Sequence, residues 1–107
     1  LQDQSMPDIL INADLSNANL RSADLTFSNL NAANLYRANL QASSLDQADL
    51  RYANLSKANL GYSNLRGADL TGADLSLANL NSVFWYDTIC PDGTNSNSNG
   101  DTCENNL

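Results

Sequence analysis

Chemistry would need a nucleophile beside a base, a cluster of metal ligands or a pair of tuned carboxylates. The chain has no histidine, which removes the commonest general base and the commonest metal ligand. Ser28, Ser43 and Ser63 recur in a repetitive wall of sequence with no adjacent base, which suits a structural role and not nucleophilic catalysis. Cys90 and Cys103 are the only cysteines, and two thiols without histidine cannot complete a four-ligand zinc site. Their even number and spacing favour a disulfide, which would contribute about 3 kcal/mol on the chain-entropy model. A free pair would be the expectation in a reducing cytosol. The run Asn95, Asn97, Asn99, Gly100 and Asp101 echoes the opening of a calcium-binding loop, but it lacks a first aspartate and has Asn106 where a bidentate glutamate belongs. An Asx-rich hairpin under the disulfide is the expected arrangement. No enzyme activity, metal or cofactor is expected.

The elements that carry these residues are set by leucine, which falls on every fifth position from Leu10 to Leu80 without a miss. On an α-helix a step of five rotates by about 140°, so the leucines would spray around the cylinder and form no apolar stripe. In a flat strand the same step would send alternate leucines to opposite faces. What remains is a chain that turns one corner per five residues. Leu15, Leu20, Leu25, Leu30, Leu35, Leu40, Leu45, Leu50, Leu55, Leu60, Leu65, Leu70, Leu75 and Leu80 then all point to a common axis as the structural core.

Two further registers agree. From Leu15 to Leu80 the residue two before each leucine of the series is alanine or serine, so large and small side chains both face inwards. Over the same stretch the residue immediately before it is Asp or Asn, with Ser44 as the sole exception. Asn and Asp tolerate unusual backbone angles and hydrogen-bond neighbouring backbone groups, which suits a repeating corner. The two positions after each leucine are mixed and must face solvent.

The motif A(D/N)LXX, unbroken over residues 11–80, resembles the pentapeptide repeat family. The resemblance implies an all-β fold, a right-handed quadrilateral β-helix in which four pentads make one square coil. Counting the imperfect flanks from Met6 to Trp85 gives about four coils, a tower about 19 Å tall at the interstrand spacing of a parallel sheet. Folded this way, Ser43 and Ser63 share an inward column where their hydroxyls can bond each other or backbone carbonyls. Asp49 and Asp69 share an outward column, but two exposed carboxylates without a pocket do little acid–base work. Arg37 and Lys57 stack in one outward column, and Asp46 and Arg66 form a weak opposed pair.

Both ends depart from the pattern. Residues 1–10, with Met6, Pro7, Ile9 and Leu10, read as an N-terminal cap, and residues 11–85 as the β-helix. Residues 86–107 read as a C-terminal tail tied by a Cys90–Cys103 disulfide. Phe84 and Trp85 bring bulk to the last pentad; Trp85 falls in the column of Leu25, Leu45 and Leu65 and would close the top like a plug. Terminal repeats commonly serve as caps, and an end-to-end dimer through the same aromatics is the alternative to a monomer.

The formal net charge of −7 disfavours direct nucleic-acid binding, which needs clustered basic residues to displace counterions. The functional expectation is a non-enzymatic structural or protein-interaction module with an unidentified protein partner. The alternative, by family resemblance, is a DNA mimic that regulates a type II topoisomerase. Against mimicry stand the small number of coils, the excess of Asn over Asp before leucine, and the basic interruptions Arg21, Arg37, Arg51, Lys57 and Arg66. The outward aromatics Phe27, Tyr36, Tyr52 and Tyr62 could anchor a partner but fall in different columns. No run of eighteen apolar residues spans a membrane. A start at Leu1 reads as a processed or trimmed product. With the expected disulfide, the resemblance suggests an exported location such as the periplasm or thylakoid lumen.

Overall fold

The computed structural model describes residues 10–107; the expected N-terminal cap, apart from Leu10, lies outside them. From Leu10 to Cys90 the backbone repeats one unit every five residues, a two-residue turn followed by three extended residues. Each leucine carbonyl accepts the amide three residues on, as Leu35 O does from Ala38 N at 3.0 Å. Leucine therefore opens a β-turn and the small residue closes it.

The third residue of that turn lies in the left-handed region. At every fifth residue from Asn12 to Asp87, φ is +54° to +62°, or +67° and +71° at Gly67 and Gly72. This differs from the expectation that the Asn and Asp before leucine bear the unusual angle. Those residues are extended, and the excursion falls on a set as varied as Phe27, Arg37, Tyr52 and Leu77. Such a conformation costs about 1–2 kcal/mol per L-residue, so the ladder bonds around it must offset the strain. At Gly72 glycine has a second reason, because an added Cβ would sit 2.6 Å from the Tyr52 ring of the coil below.

The coil length is read from the backbone pairing. Parallel bridges join residues twenty apart, from Asp14 with Asn34 to Asp69 with Ile89. From Leu15 to Leu70 each leucine amide donates to the coil above, as Leu35 N does to Asn54 O at 2.7 Å. The left-handed residue does the same, with Arg37 N on Ser56 O at 3.1 Å. The residue before leucine reaches down instead, Asn54 N donating to Ala33 O at 2.9 Å. Three extended residues per side are too few for a continuous strand, so the chain is a β-helix solenoid laddered by single bridges.

The inward columns form the core. Leu25 and each fifth residue on to Leu75 are no more than 3% exposed, with Ala33, Ala38, Ala48, Ala53, Ala58 and Ala68 packed between them. Leu15, Leu20 and Leu80, in the first and last described coils, are half-buried against this cluster. Burying one leucine contributes on the order of 2 kcal/mol. Ser28 Oγ donates to the Leu25 carbonyl at 2.7 Å. Ser43 and Ser63 behave differently from expectation, because both hydroxyls are buried with no hydrogen-bond partner among the described residues. One rung of parallel pairing, about 4.8 Å, exceeds the hydrogen-bond reach of two short serine side chains stacked in the same orientation.

The repeat does not stop at residue 85. The same turn and bridge recur at residues 86–90, with Thr88 in the small position and Cys90 in the leucine position, both fully buried. Thr88 fits because its hydroxyl finds the Leu65 carbonyl at 2.8 Å, and Cys90 because its side chain is a compact apolar group.

Replacing Leu45 with Asp puts an unpaired charge in the middle of the stack. The Leu45→Asp chain is expected to lose its cooperative melting transition by circular dichroism; a transition like the parent's contradicts the inward assignment.

Candidate interaction surface

The outward surface is built on one hydrogen bond per pentad. Turn and ladder occupy four of the five amides in a pentad, leaving the amide just after each leucine facing outwards. The Asn or Asp two residues before it supplies the acceptor. Asn34 Oδ1 accepts from Tyr36 N at 3.0 Å, Asp49 Oδ1 from Arg51 N at 3.1 Å and Asn54 Oδ1 from Ser56 N at 3.0 Å. The arrangement recurs from Asp14 to Asn79. Ser44 breaks it: its hydroxyl lies 2.8 Å from Thr26 Oγ1, and among the described residues no such bond reaches the Asp46 amide. Ile89 also lacks an acceptor, but the residue after Cys90 is Pro91, which has no amide to satisfy.

Where the acceptor is an aspartate, a second donor often follows. Ser16, Thr71 and Ser76 hydroxyls reach Asp14, Asp69 and Asp74 at 2.7, 2.6 and 2.6 Å. Arg51 Nε and Nη2 clamp Asp49 at 2.9 and 2.8 Å. Bonds from these side chains, and then from the backbone amides, hold the Asp14 and Asp74 carboxyls below the usual range. Thr26 does the same for Asp24, and Arg51 for Asp49. Asp49 and Asp69 do bridge as neighbours in one column, yet each is committed to its own downstream donors.

The corners display the variable side chains. Phe27, Tyr52 and Tyr62 are 49%, 63% and 68% exposed. Tyr36 is half-buried, with the Arg37 guanidinium 5.4 Å and the Lys57 ammonium 6.0 Å from its ring centre. Arg21 Nη1 donates to Gln41 Oε1 at 2.8 Å, and Arg66 meets Asp46 at 3.5 Å. These solvent-facing pairs add little stability, but they tie neighbouring coils together along a column.

At the upper end the two expected cap residues separate. Trp85 is buried in the core cluster above Leu65, whose amide donates to Phe84 O at 2.9 Å. Phe84 occupies the outward position before it, 54% exposed and stacked on Tyr86 at 6.4 Å. The tail then folds back over the Thr88–Cys90 side. Ile89 and Asn95 bridge antiparallel, Cys90 N donates to Thr94 O at 2.7 Å, and Ser96 N donates to Thr88 O at 2.8 Å. The buried Ser96 hydroxyl accepts from Thr88 N and donates to the Trp85 carbonyl. Cys90 and Cys103 are joined by a disulfide with 5.3 Å between Cα atoms.

The Asx-rich run serves this strap. Asn95 caps the short 3-10 helix Ser96–Ser98 and donates to Asp87 Oδ1 at 2.9 Å. Asn97 Oδ1 accepts from Asp87 N at 2.9 Å, and Asn99 donates to Thr94 Oγ1 at 2.6 Å. Thr88, Ser96 and Pro91 were not singled out in the sequence; the signal for Thr88 and Pro91 was that both stay in register with the pentads.

Asn54→Ala removes one acceptor while leaving the ladder, and should lower unfolding free energy by about 1 kcal/mol in urea titration; an unchanged midpoint contradicts the bond's role. The carboxyls held low in the folded chain stabilise it above their unfolded pKa of about 3.9, and that stability disappears as pH falls through the lower folded values. The melting temperature should therefore fall on acidification below about pH 4. A rise there would mean that relief of acidic repulsion dominates instead. Cys103→Ser should cost about 3 kcal/mol, read as the urea midpoint against the oxidised parent, and no loss would show that the strap holds without its covalent tie.

The family model for pentapeptide repeats matches residues 9–35, 33–72 and 48–83. No curated protein gives a significant match. Among solved structures, a pentapeptide repeat protein of Nostoc PCC 7120 is 40% identical with a TM-score of 0.70; the match covers 73% of this chain and 66% of that one. HetL, a pentapeptide repeat protein of Nostoc sp. strain PCC 7120 involved in heterocyst differentiation regulation, is 35% identical over 77% of this chain and 42% of its own, with a TM-score of 0.42. A pentapeptide repeat protein from the thylakoid lumen of Arabidopsis thaliana is 23% identical over 83% and 70% of the two chains, with a TM-score of 0.45. This chain thus spans just under two thirds of the first structure's length. The repeat read residue by residue and the matched family model agree, and the chain belongs to the pentapeptide repeat family.

Proposed function

We propose that this chain is a non-enzymatic protein-interaction module: a stiff, right-handed, square tower of about four coils that displays side chains at fixed spacing. One observation carries the reading. The polar groups that could do chemistry are consumed in holding the backbone, as Asp49 by the Arg51 amide and Asp69 by the Thr71 amide, while the variable residues after each leucine project from corners whose amides are locked. Regular solenoid faces of this kind offer extended surfaces to a partner.

The mixed corner charges, with Arg37 and Lys57 converging on Tyr36, weigh against imitation of a phosphate backbone. We further infer an oxidising, exported location such as the periplasm or thylakoid lumen, supported by the fully buried Cys90–Cys103 disulfide and the rarity of structural disulfides in the cytosol.

The test is affinity capture from an exported fraction with the oxidised chain as bait, beside a gyrase supercoiling assay. A stoichiometric protein partner, lost on converting Tyr52 and Tyr62 to Ser or on altering the upper end, with gyrase unaffected, is the expected result. Inhibition of gyrase would move the assignment to mimicry, and no partner under any condition would contradict an interaction role.

A further inference from the structure

Every coil presents a fixed set of backbone groups to the coil above: the carbonyl of the small residue and the amide of the leucine, on either side of the residue before leucine. In the lower coils the next coil takes them, as Asn54 N takes Ala33 O and Leu35 N finds Asn54 O. On the Thr88–Cys90 side of the last coil the tail takes them, and it does so as an antiparallel segment: Ser96 N on Thr88 O, Cys90 N on Thr94 O. The next side of the same rim has identical groups and no such cover. Val83 O and Trp85 N, flanking Phe84, have no hydrogen-bond partner among the described residues, and neither do Ala78 O and Leu80 N around Asn79.

Apolar surface and charge accompany this open stretch. Val83, Phe84, Trp85 and Tyr86, with Asp101 of the tail, line a shallow depression beside it. Phe84 and Tyr86 are each 54% exposed. Arg66 is the last basic residue of the chain; beyond it come Asp69, Asp74, Asp87, Asp92, Asp101 and Glu104. An unpaired edge is a template for an added strand, and this one lies at the acidic end of the molecule.

We propose that the rim at Val83–Trp85 docks an extended segment of a partner protein, antiparallel to the rim like the tail beside it, in which basic residues alternate with apolar ones. Alternation follows from strand geometry, which sends successive side chains to opposite faces: apolar residues enter the depression while lysine or arginine meets Asp101 at its edge. A second copy of this chain is a poorer occupant, because pairing two upper ends would bring two such acidic sets together. The proposal rests on the interaction reading above and locates its surface.

The probe is a synthetic acetylated hexapeptide of alternating lysine and valine, added to the full oxidised chain. Binding is read from the fluorescence of the single tryptophan, Trp85, from hydrogen exchange at the Trp85 amide, and from sedimentation. Saturable binding to one chain with retarded Trp85 exchange is expected, weakened at least tenfold in the Phe84→Ser/Tyr86→Ser chain and unchanged in Ser16→Ala, which alters only the first described coil. Equal binding of a glutamate–valine peptide, exchange protection elsewhere, no binding at millimolar peptide, or a dimer that already protects the Trp85 amide would each overturn it. In the affinity capture, a partner held equally by the Phe84→Ser/Tyr86→Ser chain defeats the rim alone, whereas no partner for either chain defeats the interaction reading itself.

Discussion

One amide per pentad has no place in either the turn or the ladder, and the Asn or Asp two residues earlier is there to accept it. Without that acceptor, each corner would leave an outward N–H dependent on solvent and each left-handed residue next to it less firmly held. With it, every amide of an interior pentad has a protein partner, which is the satisfaction that native backbones require. The leucine columns supply the apolar contribution, but they do not fix the corner. The corner determines where the next leucine points, and so whether columns form at all.

Much of this was legible in the residues. The five-residue leucine step, the alternating small position and the Asx position together exclude helix and flat strand, and the inward columns from Leu25 to Leu75 follow from them. What stayed hidden was which residue carries the positive φ. Glycine marks that position only at Gly67 and Gly72; elsewhere bulky and charged residues occupy it, because the fold imposes the angle and no local preference announces it. The fate of Ser43 and Ser63 was hidden for a related reason, since sharing a column says nothing about rung spacing relative to hydrogen-bond reach.

The upper end shows how the repeat is closed. Ile89 can replace an Asx residue because Pro91 brings no amide, and Cys90 can replace leucine because its partner Cys103 covers it from the tail. The tail then takes the place a further coil would hold on this side: Asn97 Oδ1 accepts from Asp87 N, Ser96 N donates to Thr88 O and Thr94 O accepts from Cys90 N. The surface legible in the sequence was the set of scattered outward aromatics. The rim beside the strap was not, because unpaired backbone groups leave no mark on residue type.

The most direct test of the account is residue-resolved amide hydrogen exchange by NMR on the oxidised chain. The amides that follow leucine, such as those of Tyr36, Ser56 and Thr71, should exchange at least about tenfold more slowly than that of Asp46, which sits behind Ser44 and has no Asx acceptor; each tenfold step corresponds to about 1.4 kcal/mol. The ladder amides of Leu45 and Gln47 should be slower still. If Asp46 exchanges as slowly as its counterparts, or if those counterparts exchange freely, the Asx bond is not what holds the corner and the account fails.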